Sequence, residues 1–271
     1  MSDSATAAPG RANPLVTVQP GTGESALYCF HPLSGSAAVY GPLVARIGRD
    51  QQAYGLQAVG LLDGWSPDPT VTAMARRYAT AIQPHATAPA VFLGYSLGGV
   101  LAVETAGLLA DRLRVPPRVV LIDCDPLYLP RDDSGPWQVL VRQTLGIDLP
   151  VAGLAALPVA DALAEVRAAG ARQGRIPARM SLDRLAVMLR VCEANETAAA
   201  RHVTLPYPGT VHVVRSAGAE PGGDSWHAFA DRAVVTVVPV GHHDIMGAAG
   251  VPVVADVVRA LLPVIRRARG R

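Results

Sequence analysis

The chain has 271 residues and a mass of 28.2 kDa, a length that α/β folds often use as one domain. Half of the residues are hydrophobic and 17% are charged, which excludes a disordered chain. The formal net charge of +2 is too small a surplus to suggest a nucleic-acid-binding surface. All 24 basic residues are arginine, so no mechanism can use a lysine base or Schiff base. Cys29, Cys124 and Cys192 are odd in number and lack CxxC spacing. That argues against a disulfide framework or zinc site and for a reducing, cytoplasmic compartment.

Residues 1–14 read as a disordered leader or linker of small residues, Ser and Pro, with no signal-peptide pattern. Short apolar runs then alternate with helical patterns. Strands are expected at Ala26–Phe30, Ala53–Val59, Ala90–Tyr95 and Arg118–Ile122. Helices are expected at Ala37–Ile47, Thr70–Ile82 and Leu97–Leu113. This rhythm predicts an α/β fold, a mostly parallel sheet covered by helices on both faces.

From about residue 126 to 205 the rhythm stops. Helical patterns at Trp137–Leu145, Val159–Ala169 and Ser181–Ala200 are separated by Pro and Gly. Such an insertion suits a lid over the strand C-termini. Strands resume at Thr210–Arg215 and Val234–Val240, and a helix over Pro252–Arg267 closes the chain. The richest apolar run, Val251–Ile265, is broken by Asp256 and Arg259, so no membrane span is expected.

Gly94-Tyr95-Ser96-Leu97-Gly98 fits G-x-S-x-G, with a strand before it and a helix after it. The serine of such an elbow sits on a strained turn that exposes its Oγ, and the following helix N-terminus favours developing negative charge. The glycines lie where a Cβ would crowd the turn.

A serine hydroxyl needs a base held by an acid, and in this fold the chain order is Ser, acid, His. His202, His212 and His227 read as structural or solvated. His242 and His243 follow the last strand and Gly241, and residue chemistry hardly chooses between them. For the acid, Asp123 directly follows its strand, Glu220 and Asp224 follow a later one, and Asp125 reads as a cap or a solvent-facing group. Leu97 N–H would supply one oxyanion donor. The other falls on the loop His31–Ser36, where Pro32 has no N–H and Leu33 is the best donor. His31 reads as the group that holds that loop by hydrogen bonding.

Four segments together form a recognisable pattern: LYCFHPLSGSAAVYGPLVARIG (27–48), YGLQAVGL (54–61), GYSLGGVLAVETAGLL (94–109) and DSWHAFADRAVVTVVPVGHHDIM (224–246). Over nearly all of residues 15–267 the chain resembles the chain-terminating thioesterase domains of non-ribosomal peptide synthetases and polyketide synthases. The resemblance implies an α/β-hydrolase fold over residues 15–271. It also implies a triad of Ser96, Asp123 and His243, the base being the histidine two after the loop glycine. His242 and Asp244 are departures from the family pattern. Free-standing editing thioesterases are also similar, with the acid matching Asp224, but Tyr95 and Leu97 flank the serine where that family has His and Met.

The implied reaction is release of an acyl or peptidyl chain from a carrier protein's phosphopantetheine thioester, by hydrolysis or macrocyclisation, in natural-product biosynthesis. The implied partner is that acyl or peptidyl carrier protein. No nucleic acid, membrane, metal or dissociable cofactor is expected, and the domain is expected to be monomeric. Leu140, Val141, Met180, Met188 and Leu189 suit an apolar acyl chain. Arg142, Arg172, Arg175 and Arg179 suit an acidic carrier or phosphopantetheine. A carboxylesterase and a non-catalytic carrier-docking module are the other readings.

Overall fold

The computed structural model describes residues 12–22, 25–85, 89–113, 115–127, 135–217 and 225–262. Seven strands form one sheet: β1 (Leu15–Gln19), β2 (Ala26–Phe30), β3 (Gln52–Leu56), β4 (Ala90–Tyr95), β5 (Arg118–Ile122), β6 (Tyr207–Ser216) and β7 (Ala230–Val238). Their order is β1-β3-β2-β4-β5-β6-β7. Among the described residues only β1 runs antiparallel, pairing with β3, and every other pair is parallel.

The central strands are apolar on both faces because both faces are covered. Tyr28, Phe30 and Phe92 pack with α2 (Val71–Ile82) and α3 (Leu97–Leu109) on one side. Leu27, Cys29 and Leu93 pack with α1 (Gly41–Ile47) and α7 (Val251–Leu261) on the other. The strand β1 is not among those expected from the sequence. Its residues are half-exposed on a sheet edge, so they lack the continuous apolar run that marks the inner strands. The Ala37–Ile47 helix divides into a 3₁₀ turn, Ala37–Tyr40, and α1 behind Pro42. The expected leader largely lies outside the described residues, as does the end of the last predicted helix beyond Leu262.

Between β5 and β6 the chain forms α4 (Pro136–Gln138), which runs into a π-helix at Val139–Thr144, then α5 (Val159–Arg172) and α6 (Leu182–Ala200). Val141, Ile147, Leu154, Ala162 and Val166 give this segment a small core of its own. Leu185, Leu189 and Cys192 of α6 join the main core instead, anchoring the segment to the sheet domain. Among the described residues no helix is long and apolar enough to cross a membrane.

The strand order reverses between β2 and β4: the chain leaves β2 for β3 on one side and returns to β4 on the other. A crevice opens outside the carboxyl ends of strands at such a switch point. Here it receives the loop after β2 and the turn between β4 and α3.

Candidate active site

Ser96 sits at the end of β4 with φ +53° and ψ −128°, a conformation L-residues rarely adopt. Two glycines make it possible. A Cβ on Gly94 would meet the Gly98 carbonyl, and one on Gly98 would meet the Phe30 carbonyl. The backbones of β4, α3 and β2 therefore approach closer than any side chain would allow. Leu97 begins α3, so its N–H lies among the first-turn amides that lack an intrahelical acceptor.

Leu33 lies in the turn after β2, closed by Gly35 N–H donating to the Pro32 carbonyl at 2.9 Å. The Asn195 side-chain amide, 1% exposed on α6, donates to the Leu33 carbonyl at 2.9 Å. Nothing in the sequence singles out Asn195, because its partner is 162 residues away. His31 is fully buried, with Nδ1 2.8 Å from the Pro32 carbonyl and Nε2 2.6 Å from the Tyr78 hydroxyl. A neutral ring satisfies both contacts, donating from Nδ1 and accepting at Nε2. It ties the loop to α2, the role read from the sequence.

Burial lowers the His31 imidazole from 6.5 to about 4, against smaller upward pulls from the Pro32 carbonyl and Asp68. Between those values the unfolded chain binds a proton that the folded one does not. His31 therefore stabilises the fold above pH 6.5, and that contribution is lost as pH falls toward 4, by ~3 kcal/mol across the window. Denaturant unfolding of wild type and His31→Gln at stepped pH checks this, and the variant should lose that part of the pH slope.

Asp123 follows β5 directly, with φ +45°. Its Oδ1 accepts from Ser216 N–H at 2.7 Å, and its Oδ2 from the Ser216 hydroxyl at 2.8 Å. Oδ2 also lies 2.7 Å from His242 Nδ1. Burial raises the carboxyl pKa, but the bonds from His242 and Ser216 and the attraction to His242 outweigh it. The net effect holds Asp123 below its ordinary value. The Trp226 indole N–H donates to the Cys124 carbonyl at 2.7 Å and pins the chain just beyond Asp123.

This contact falls on the neighbour of the expected base. His242, not His243, meets the carboxylate. Asp244 N–H and Ile245 N–H both bond the Gly241 carbonyl, at 3.0 and 3.1 Å, so the chain turns helically straight after β7. In such a turn successive side chains diverge by about 100°. His242 faces Asp123, and the next residue, His243, is exposed, its ring centroid 5.1 Å from that of His242.

The other candidates separate cleanly. Asp125 pairs with Arg215 at 2.9 Å, and His202 with Glu104 at 3.0 Å. His212 lies on β6, and His227 is exposed on the turn Ser225–Ala228. Glu220 and Asp224 lie outside the described residues.

A cavity of about 680 Å³ brings Ser96, Leu33, His242 and His243 together. Gln138, Val139, Arg142, Gln143 and Thr144 of the segment between β5 and β6 form its opposite wall. The five apolar residues expected to meet an acyl chain are not in this wall. Leu140, Val141 and Leu189 are buried in cores, and Met180 and Met188 pack against them. Of the four arginines, Arg142 reaches the cavity. Among the described residues no group of three or more His, Cys, Asp or Glu side chains could hold a metal ion.

A strained serine at a strand-to-helix elbow shares the crevice with a histidine held by a carboxylate, and these are the groups that serine acyl transfer requires. Residues 25–145 match the family model described as Thioesterase domain. The chain is 34% identical over 117 residues to Malpinin synthetase of Mortierella alpina, a match covering 42% of this chain and 2% of that protein. With Nonribosomal peptide synthetase btyA of Aspergillus terreus it shares 36% identity over 101 residues, 36% of this chain and 11% of that one. The chain thus spans a small fraction of these relatives' length. Among solved structures, the Vlm2 thioesterase domain covers 91% of this chain and 96% of its own, with TM-score 0.71 and 23% identity. At that identity the likeness shows the fold alone, the α/β-hydrolase fold.

Proposed function

We propose that this chain is a serine thioesterase that releases an acyl or peptidyl chain from the phosphopantetheine thioester of a carrier protein. The observation that carries the reading is the part-buried Asp123–His242 hydrogen bond, with His242 and Ser96 lining one crevice. His242 takes the Ser96 proton as Oγ attacks the thioester carbonyl. The oxyanion rests on the N–H groups of Leu97 and Leu33. The C–S bond then breaks, and the leaving sulfur takes the proton from His242. The acyl group remains on Ser96 as an oxygen ester. His242 next deprotonates water, or a hydroxyl or amine within the acyl chain, whose attack frees Ser96 and yields an acid or a ring. Asp123 orients His242 and stabilises its charged form throughout.

No step needs a metal or a dissociable cofactor, because the pantetheine arm travels with the substrate's carrier. Residues 126–205 act as a lid that excludes water while the acyl-enzyme waits. The helix α4 and the π-helix wall bring Gln138, Arg142 and Gln143 to that space, a polar face suited to a peptidyl or hydroxylated chain. Three buried free cysteines fit a reducing cytoplasm.

Turnover on a panel of acyl and peptidyl pantetheine-type thioesters, with products read by mass, tests the proposal. A cyclic product one water lighter than the acid identifies a cyclase. Linear acid from long peptidyl chains identifies a hydrolytic release enzyme, and acid mainly from short acyl groups an editing enzyme. Cleavage of simple oxygen esters alone, with no thioester consumed, overturns the proposal in favour of a carboxylesterase.

A further inference from the structure

Between Ser96 and His242 lies a residue that the reaction scheme does not use. Tyr95 is peptide-bonded to Ser96 and only 8% exposed. Its ring stacks on the His242 imidazole, with centroids 5.1 Å apart and planes at 28°. Its hydroxyl donates to the His242 main-chain carbonyl at 2.9 Å. Its own N–H donates to the Tyr40 hydroxyl at 2.6 Å, and that hydroxyl donates to the Phe30 carbonyl at 2.7 Å.

The β2–β4 ladder is in register through Phe30 and Gly94. One residue further on, the Tyr40 hydroxyl stands between the two strands in place of a direct ladder bond. The strands can part there, toward the Leu33 loop and the Ser96 elbow, with no buried N–H or C=O left unmade at this step. Tyr95 carries that fixed point to the base. His242 is otherwise held at Nδ1 by Asp123, a bond about which the ring can still pivot. The stacked phenol limits that pivot, and the bond to the His242 carbonyl stops the loop after β7 from sliding.

We propose that Tyr95 is a positioning residue that sets the His242 imidazole against Ser96 Oγ, and that the Tyr40 bridge holds Tyr95 in place to do so. The inference rests on the Ser96–His242 reading above. It predicts that losing the Tyr95 hydroxyl slows every step that uses His242 and leaves substrate capture alone. Misplacement of a reacting group is felt in the rate at fixed binding.

The test is steady-state and single-turnover kinetics of Tyr95→Phe and Tyr95→Leu on an acyl pantetheine thioester. Rates are normalised to sites titrated with a fluorophosphonate, so a poorly folded fraction drops out. Tyr95→Phe keeps the ring and should lower kcat about tenfold, acylation and deacylation alike, with KM within about twofold of wild type. Tyr95→Leu also removes the stack and should cost about a hundredfold. The downfield proton resonance of the His242–Asp123 hydrogen bond should exchange faster with solvent in Tyr95→Phe than in wild type.

Ser96→Ala and His242→Ala run alongside. If either keeps wild-type turnover, the reading of the site fails, whatever Tyr95 does. If both abolish turnover while Tyr95→Phe keeps wild-type kcat and proton exchange, the positioning role alone is overturned. A Tyr95→Phe defect confined to KM overturns it too, because it makes Tyr95 part of the cavity wall only.

Discussion

Replacing His242 with alanine is expected to lower kcat on the order of 10⁴-fold, whereas His243→Ala should cost less than about tenfold. The two residues are neighbours of the same type in the same cavity, so the contrast isolates geometry from chemistry. His242 has its Nδ1 on the Asp123 carboxylate, which leaves Nε2 for the serine proton. The His242 carbonyl is held by Tyr95, and the turn begun at Gly241 directs the following side chain toward solvent. If His243 were the base, the 2.7 Å contact of Asp123 would hold a histidine that takes no proton from the serine. Parallel kinetics of the two variants, each checked for folding by circular dichroism, decide between them. A large loss in His243→Ala with activity retained in His242→Ala would reverse the assignment.

The second large effect belongs to Gly98. A Cβ there would meet the Phe30 carbonyl oxygen, with the Phe30 carbonyl carbon at 3.0 Å and the His31 oxygen at 3.1 Å. All three are main-chain atoms, so no side chain can swing away to make room. The same Phe30 carbonyl accepts from Tyr40, so displacing it also disturbs the bridge between β2 and β4. Gly98→Ala is expected to lose about 3 kcal/mol or more of stability. Activity should fall further, because the push separates the Leu33 loop from the N-terminus of α3, and losing one oxyanion donor costs about 10²-fold. Gly107 lies on the same helix with open space where its Cβ would go. There the same substitution should stabilise by about 1 kcal/mol, by helix propensity alone. Urea unfolding of both variants measures opposite signs from one chemical change.

Residue type and spacing encode the elbow at Gly98 but not the phase of the histidine turn. The β2, β4 and β5 bounds agree with the sequence reading because strands buried on both faces are continuous apolar runs bounded by polar or turn residues. The elbow is legible because strand, G-x-S-x-G and helix stand in one uninterrupted stretch. The edge strand β1 is not, because half-exposed residues leave only a weak pattern. The π-helix at Val139–Thr144 reads as an ordinary helix, since one extra residue per turn leaves no mark in so short an apolar stretch. The choice between His242 and His243 depends on the phase of one turn, and two identical residues carry no signal of phase. Tyr40, Tyr95 and Asn195 act through partners 55, 147 and 162 positions away. Only the folded sheet brings them together.

The most direct test of the account is intact-protein mass spectrometry after brief mixing with an acyl pantetheine thioester, followed by peptide mapping of the adduct. The account predicts one acyl group per chain, on Ser96, in wild type and His243→Ala. It predicts none in Ser96→Ala, and formation slowed on the order of 10⁴-fold in His242→Ala. An adduct that persists in Ser96→Ala, or that forms at the wild-type rate in His242→Ala, would contradict it.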